Sequence, residues 1–141
     1  MDQRTRLSIL LGFLAVLVLA IVIGVESLTA GTLVGVLGCL VVLTIGWWSG
    51  RRGRHTAWAE ASAQIAPSRA LVLWKPGCVY CERLLLSLGR DSRVTWVNVW
   101  QDEQANARVR ELNGGDELTP TVIIGDEVLR NPTVDEIRAL L

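Results

Sequence analysis

Residues 71–89 read LVLWKPGCVYCERLLLSLG. The stretch opens on an apolar run of buried-strand type, completed by Ala70 (ALVLW, 70–74), breaks at Lys75-Pro76-Gly77, and resumes as a leucine-bearing segment that stops at Gly89. Cys78 and Cys81 stand where the second segment begins, separated by Val79 and Tyr80. A strand feeding a Pro-Gly turn into a helix places Cys78 at a helix N-terminus, where unpaired backbone N–H groups and the positive end of the dipole favour a thiolate. Lys75, the only lysine in the chain, adds positive field just upstream. Cys81 lies one turn further along the same face and is less favoured as thiolate. This arrangement makes Cys78 the nucleophile and Cys81 the resolving thiol.

The elements that follow keep the alternation. VTWVNV (94–99) has the β-branched and aromatic content of a strand, and Asp102 is placed to cap a helix through EQANARVREL that ends at Asn113-Gly114. TVII (121–124), the turn Gly125-Asp126 and EVLR (127–130) predict a hairpin. Asn131 is expected to cap a last helix, with Pro132 at its first position and Ile137 and Leu140 on its buried side. In ELTPTV, Thr119-Pro120 leads directly into a strand, where proline is tolerated only at the start or an edge. The order β-α-β-α-β-β-α over residues 69–141 predicts an α/β domain with a mixed four-stranded sheet. Its acidic and basic side chains nearly balance and form no basic patch, which argues against nucleic acid as a partner.

The rest of the chain has a different composition. With 50% hydrophobic residues among 141 and a mean hydropathy of +0.37, it is too apolar for one ordinary soluble domain. The excess lies in two uncharged runs, residues 7–25 and 28–48, joined at Glu26-Ser27. As helices rising about 1.5 Å per residue, both are long enough for a hydrocarbon core of roughly 30 Å, so residues 1–50 predict a transmembrane hairpin. Arg4 and Arg6 precede it and Arg51, Arg52, Arg54 and His55 follow it, while the turn carries only Glu26. Basic residues are retained in the cytoplasm, so the expectation is a multi-pass plasma-membrane protein with both termini and the soluble domain cytoplasmic. Trp47 and Trp48 then fall at the inner interface. A cleaved signal peptide is the rival reading of the first run, but the run exceeds the roughly 7–15 apolar residues of such peptides and lacks a small-x-small site after it.

Within the second run, Gly31 and Gly35 form a small-xxx-small pair suited to packing the hairpin or to dimerisation, although glycine is common in membrane helices generally. Cys39, mid-span in an apolar setting, is expected to be inert. Residues 51–68 are expected to be a basic juxtamembrane segment and linker. Its alanine-rich part, TAWAEASAQIAPS (56–68), suits either a short interfacial helix with Trp58 and Ile65 towards lipid or a plain spacer.

Three uses of the cysteine pair compete. A structural zinc site needs four ligands, whereas the domain offers two cysteines and the only histidine, His55, lies outside its expected bounds. A permanent disulfide is disfavoured in a reducing cytoplasm and would close too short a loop to constrain the chain. Reversible thiol chemistry remains, with no metal and no tightly bound cofactor.

On Cys78-Val79-Tyr80-Cys81 after the first strand, Thr119-Pro120-Thr121-Val122, and Asn131-Pro132 before the last helix, residues 69–141 resemble the glutaredoxin branch of the thioredoxin-like superfamily, and within it the actinobacterial mycoredoxins. The resemblance implies a thioredoxin-like fold with Pro120 in cis beside the active site, the Thr119 backbone available to a bound thiol partner, and Tyr80 flanking the thiol site. Lys75 and Val79 complete the expected thiol-binding set. It also implies a reaction in which Cys78 attacks a mixed disulfide between a low-molecular-weight thiol and a client protein, and a second small thiol or Cys81 resolves the intermediate. Val79 replaces the Pro or Gly usual between the cysteines, and the Gly-Gly pair before the last helix of glutathione-using members is missing. The resemblance therefore makes mycothiol, rather than glutathione, the expected co-substrate. The expected partners are this thiol and its reductase, disulfide or mixed-disulfide clients that include membrane-associated proteins, and the lipid bilayer. Two alternatives stand beside this: a thioredoxin-like reductase recharged by a flavoprotein reductase, and a non-catalytic membrane adaptor that uses the fold as a docking surface.

Overall fold

The structure, a computed structural model, describes residues 3–51 and 53–141, with the side chains of residues 3–6, 49 and 50 outside the description. It divides into two compact units, Met1–Arg51 and Arg52–Leu141. The first unit is a helical hairpin of α1 (Gln3–Glu26) and α2 (Leu28–Gly50). Both helices are long and apolar enough to cross a membrane. Ser27 ends one and caps the other, its hydroxyl accepting from Ala30 N at 3.3 Å. The glycines act inside the hairpin. A Cβ on Gly31 would stand 2.5 Å from Gly24 Cα, and one on Gly38 would meet Val16, so the two backbones approach only because these side chains are missing. Of the basic residues behind the topology expectation, Arg52 and the side chains of Arg4 and Arg6 lie outside the described residues.

The second unit contains α3 (Trp58–Ser62), β1 (Ala70–Trp74), α4 (Val79–Leu88), β2 (Val94–Asn98), α5 (Glu103–Leu112), β3 (Thr121–Ile124), β4 (Glu127–Arg130) and α6 (Val134–Ala139). The sheet is mixed, with order β2-β1-β3-β4. β1 pairs in parallel with β2 and antiparallel with β3, and β3 with β4 forms the hairpin turned at Gly125-Asp126. A parallel neighbour requires a crossover, and α4 provides it. Because β1 is flanked by strands and covered on both faces, all five of its residues are buried, which is why its sequence is an unbroken apolar run.

Two cores result. Ala70, Val72, Trp74, Trp96, Val122 and Ile124 meet Cys81, Leu84 and Leu88 of α4 and Ile137 of α6 on one face. Leu71, Leu73, Val97, Val99 and Ile123 meet Ala105 and Val109 of α5 and Ala61 of α3 on the other. The leucine spacing on α4 is thus a core stripe, each fully buried leucine worth about 2 kcal/mol of transfer free energy.

Four expectations need correction. Residues 53–68 are not a linker, because they belong to the second unit. Thr56 N donates to Trp96 O at 2.8 Å, Trp74 Nε1 donates to Arg54 O at 2.9 Å, and Asn98 N donates to His55 Nδ1 at 3.3 Å, so this segment covers the outer edge of β2. The short helix α3 does not turn Trp58 and Ile65 towards lipid. Both pack on the second core around the fully buried Ala61, a better burial for them than a half-wet interface. The last helix is capped by Thr133 rather than Asn131. Asn131 has a positive φ of 50° and gives its N–H to Pro120 O, so it closes the hairpin, while Thr133 and Glu136 form a reciprocal capping box. β2 also ends one residue early, at Asn98, whose side-chain oxygen accepts from Trp100 N at 2.9 Å and turns the chain.

Candidate active site

Cys78 is the N-cap of α4. Its backbone is extended, at φ −84° and ψ 109°, and its Sγ accepts from Cys81 N at 3.3 Å, taking one of the orphan N–H groups of the first helical turn. Gly77 makes this entry possible, since its φ of 78° is a left-handed conformation that a side chain at that point would oppose. The Cys78 thiol donates to the carbonyl of Thr119 at 3.4 Å, across the sheet end. The Thr119-Pro120 peptide bond is cis and enters β3. The structure therefore brings the two short motifs, separated in sequence, onto one sulfur.

The two thiols are unequal. Cys78 is partly buried, and hydrogen bonding with the Cys81 side chain pulls its pKa down; burial resists, and the Cys81 N–H, the Thr119 side chain and the charge of Lys75 add to the lowering, from 9.0 to about 6. The Thr119 hydroxyl is buried with no other hydrogen-bond partner among the described residues, which leaves it available to the thiolate. Cys81 is fully buried, and its proton is held tightly by the hydrogen bond to Cys78 and by burial, so its pKa is raised. At neutral pH this arrangement presents one thiolate with an adjacent thiol donor.

The remaining expected residues surround that sulfur differently. Val79 and Tyr80 are 70% and 54% exposed at the first turn of α4, with the Arg83 guanidinium 5.7 Å from the Tyr80 ring centre. Lys75 does not stand open to solvent as a plain positive field. Its Nζ is 2.9 Å from Glu117 Oε1 and lies over the Trp100 ring at 5.7 Å. Glu117 is the residue that sequence reading missed. Trp100 Nε1 donates to Oε1 at 3.0 Å, Asn106 Nδ2 to Oε2 at 2.7 Å, and Arg110 Nη2 to Oε2 at 3.2 Å. Burial pushes the Glu117 carboxyl up, but the hydrogen bonds from Lys75, Asn106 and Trp100 outweigh it and bring the pKa down to about 2. The legible signals were a single lysine in the active-site turn, an acid two residues before Thr119, and Asn106 and Arg110 one helical turn apart.

Among the described residues, no three His, Cys, Asp or Glu side chains gather in a way that could hold a metal ion. Cys39 is a free cysteine in α2, within the other unit. No family model, no curated protein and no solved structure matches this chain.

Proposed function

We propose that the chain is a membrane-anchored, cytoplasm-facing thiol-disulfide oxidoreductase of glutaredoxin-like, mycoredoxin type, its second unit a thioredoxin-like domain and its first a two-span anchor with both termini cytoplasmic. The observation that carries this reading is the placement of Cys78 Sγ at the N-cap of α4, accepting from Cys81 N and facing the Thr119 carbonyl. A sulfur held this way is a nucleophile at neutral pH, partly open to an incoming disulfide, with a protonated thiol beside it.

The chemistry follows from exchange. Cys78 thiolate attacks the small-thiol sulfur of a mixed disulfide, a new S–S bond forms to Cys78, and the client leaves as thiolate and takes a proton. A second small thiol, having lost its proton, then attacks the small-thiol sulfur of that bond, the symmetrical small-thiol disulfide departs, and Cys78 leaves as thiolate; the two small thiols have supplied the two electrons that reduced the client. In the dithiol branch Cys81 attacks Cys78 Sγ instead, and the small thiol leaves as thiolate and takes up the proton that Cys81 gives up. The Cys81 proton is held while Cys78 is anionic, and that hold weakens once Cys78 is bonded to sulfur, so the resolving thiol is released for reaction only after the first step. A Cys78–Cys81 disulfide formed this way needs two electrons from the small thiol or from a flavoprotein reductase. Mycothiol, rather than glutathione, is the proposed small thiol.

The test uses the full chain in nonionic detergent with a mycothiol-linked protein disulfide, recharged by mycothiol and its reductase, by glutathione and its reductase, or by thioredoxin reductase. Cys78→Ser is expected to abolish turnover, and full activity in that variant overturns the mechanism. Turnover supported by thioredoxin reductase alone replaces the small-thiol reading with the flavoprotein-recharged one. Indifference to both Cys78→Ser and Cys81→Ser in a client-binding assay points to an adaptor. For topology, a membrane-impermeant maleimide is expected to reach Cys78 only from the cytoplasmic face of sealed vesicles, and labelling from the opposite face overturns the orientation.

A further inference from the structure

The turn that carries the nucleophile also carries the chain's only lysine, and that lysine is already occupied. The Lys75 side chain is 26% exposed and that of Glu117 18%, so the pair is partly withdrawn from water rather than a solvated surface contact. Glu117 cannot easily swing away. Both of its oxygens are engaged, by Lys75 and Trp100 on one and by Asn106 and Arg110 on the other, and Arg110 Nε in turn fixes the Asn106 amide at 2.9 Å. The same loop is tied down beyond it, with Asn113 Nδ2 donating to Thr121 Oγ1 at 3.0 Å and Thr121 Oγ1 to Leu118 O at 2.9 Å. A saturated carboxylate on a fixed loop holds the lysine in one place.

We propose that Glu117 is a specificity-determining residue of the Cys78 site: by engaging Lys75 it weakens the field of the cation that reaches the nucleophile, so that the site favours uncharged thiol partners and gains little from partners with a carboxylate close to sulfur. Without Glu117 the same turn would offer a free ammonium three residues from the reacting sulfur, and an anionic partner would be drawn in by it. The Trp100 ring lies 5.7 Å from the same ammonium and adds a cation–π contact that helps to hold it there. The inference rests on the oxidoreductase reading for its biological meaning, but it is a statement about charge beside a sulfur and can be measured without turnover.

The measurement compares alkylation of Cys78 by iodoacetamide, which is neutral, with iodoacetate, which is anionic. In both, the thiolate displaces iodide from carbon. The full chain in nonionic detergent is used at a pH where Cys78 is thiolate, and the Cys78-bearing peptide is quantified by mass spectrometry so that Cys39 does not contribute. Glu117→Gln keeps the side-chain shape and an acceptor for Lys75 while removing the charge. It is expected to raise the iodoacetate to iodoacetamide rate ratio by about fivefold, the order of effect that uncovering one unit charge has in a solvated site. Lys75→Met is expected to lower the ratio, because it leaves Glu117 uncompensated, and the double variant to return it near the wild-type value. A ratio that stays within about twofold of wild type in Glu117→Gln, or a rise that persists in the double variant, overturns the proposal. Those outcomes are independent of the oxidoreductase reading, which fails instead if Cys78→Ser retains turnover.

Discussion

The thiol of Cys78 donates to the carbonyl oxygen of Thr119 at 3.4 Å, a contact between residues 41 positions apart in the chain. On its other side the same sulfur accepts the backbone N–H of Cys81 at 3.3 Å. One bond suits the thiol and the other suits the thiolate, so the sulfur is placed for both protonation states without a change of rotamer.

This predicts a titration. Cys78 has its pKa lowered to about 6, so its thiolate is stabilised by the fold above the ordinary thiol value of 9.0, and that contribution disappears as the pH falls through about 6. The pH profile of iodoacetamide alkylation of Cys78 should have its midpoint near pH 6. Cys81→Ala removes the largest of the lowering contributions and should move the midpoint upward. A wild-type midpoint above pH 8, close to the ordinary thiol value, would show that the helix start does not activate the sulfur.

Asp102 holds two helix N-termini with one carboxylate. Oδ1 accepts from Ala105 N at 3.0 Å in α5, and Oδ2 accepts from Trp58 N at 2.7 Å in α3. A single cap is worth about 1 kcal/mol, so Asp102→Ala should cost about 2 kcal/mol in urea denaturation. Hydrogen exchange should lose protection at both Ala105 and Trp58. Burial pushes the Asp102 carboxyl up, but the N–H groups of Trp58, Ala105 and Gln104 outweigh it and the pKa is lowered. The stability it confers is therefore present above the ordinary carboxylate range and lost as acid protonates it.

The segment before β1 should be indispensable to the domain. A chain starting at residue 69 loses the burial of Ala61, Trp58 and Ile65 against the second core and the covering of the β2 edge. It should unfold at least about 3 kcal/mol more easily than one starting at residue 53. Gly53→Ala is a finer probe, since φ at Gly53 is +61° and a Cβ there would collide with the Trp74 ring. We expect a cost of about 1–3 kcal/mol for that variant in the longer chain, and equal stability of the two chain lengths would contradict the packing described.

The last helix separates two capping residues by mutation. Thr133→Ala should destabilise α6 by about 1 kcal/mol, because Thr133 accepts from Glu136 N while Glu136 Oε2 accepts from Thr133 N at 2.7 Å. Asn131→Gly should be neutral or nearly so, because the φ of 50° at Asn131 is one that glycine adopts freely. Thermal melts of the two variants check this, and the opposite ranking would return the cap to Asn131.

Much of this was legible because it is local. The strand–turn–helix around Cys78, the cap at Asp102 and the hairpin at Gly125-Asp126 are decided by residues within a few positions of one another, and the structure places β1, α4, α5, β3 and β4 where the pattern does. The errors have a common cause. Trp58 and Ile65 are amphipathic-helix residues by pattern, and whether such residues face lipid or a protein core depends on which apolar surface the fold leaves open, here the face formed by Leu71, Leu73 and Val97. The Asn131 cap failed for the same kind of reason, because the residue was needed by its bond to Pro120 O in the hairpin.

Cys78 at a helix start and two apolar runs of membrane-spanning length follow from the sequence alone, because helix entry, turn chemistry and hydrocarbon length are short-range properties of the chain. The charge around Cys78 was decided only by tertiary structure. Lys75 and Glu117 are brought within 2.9 Å by the pairing of β1 with β3 and by the anchoring of Glu117 to α5, and no spacing in the sequence encodes that distance.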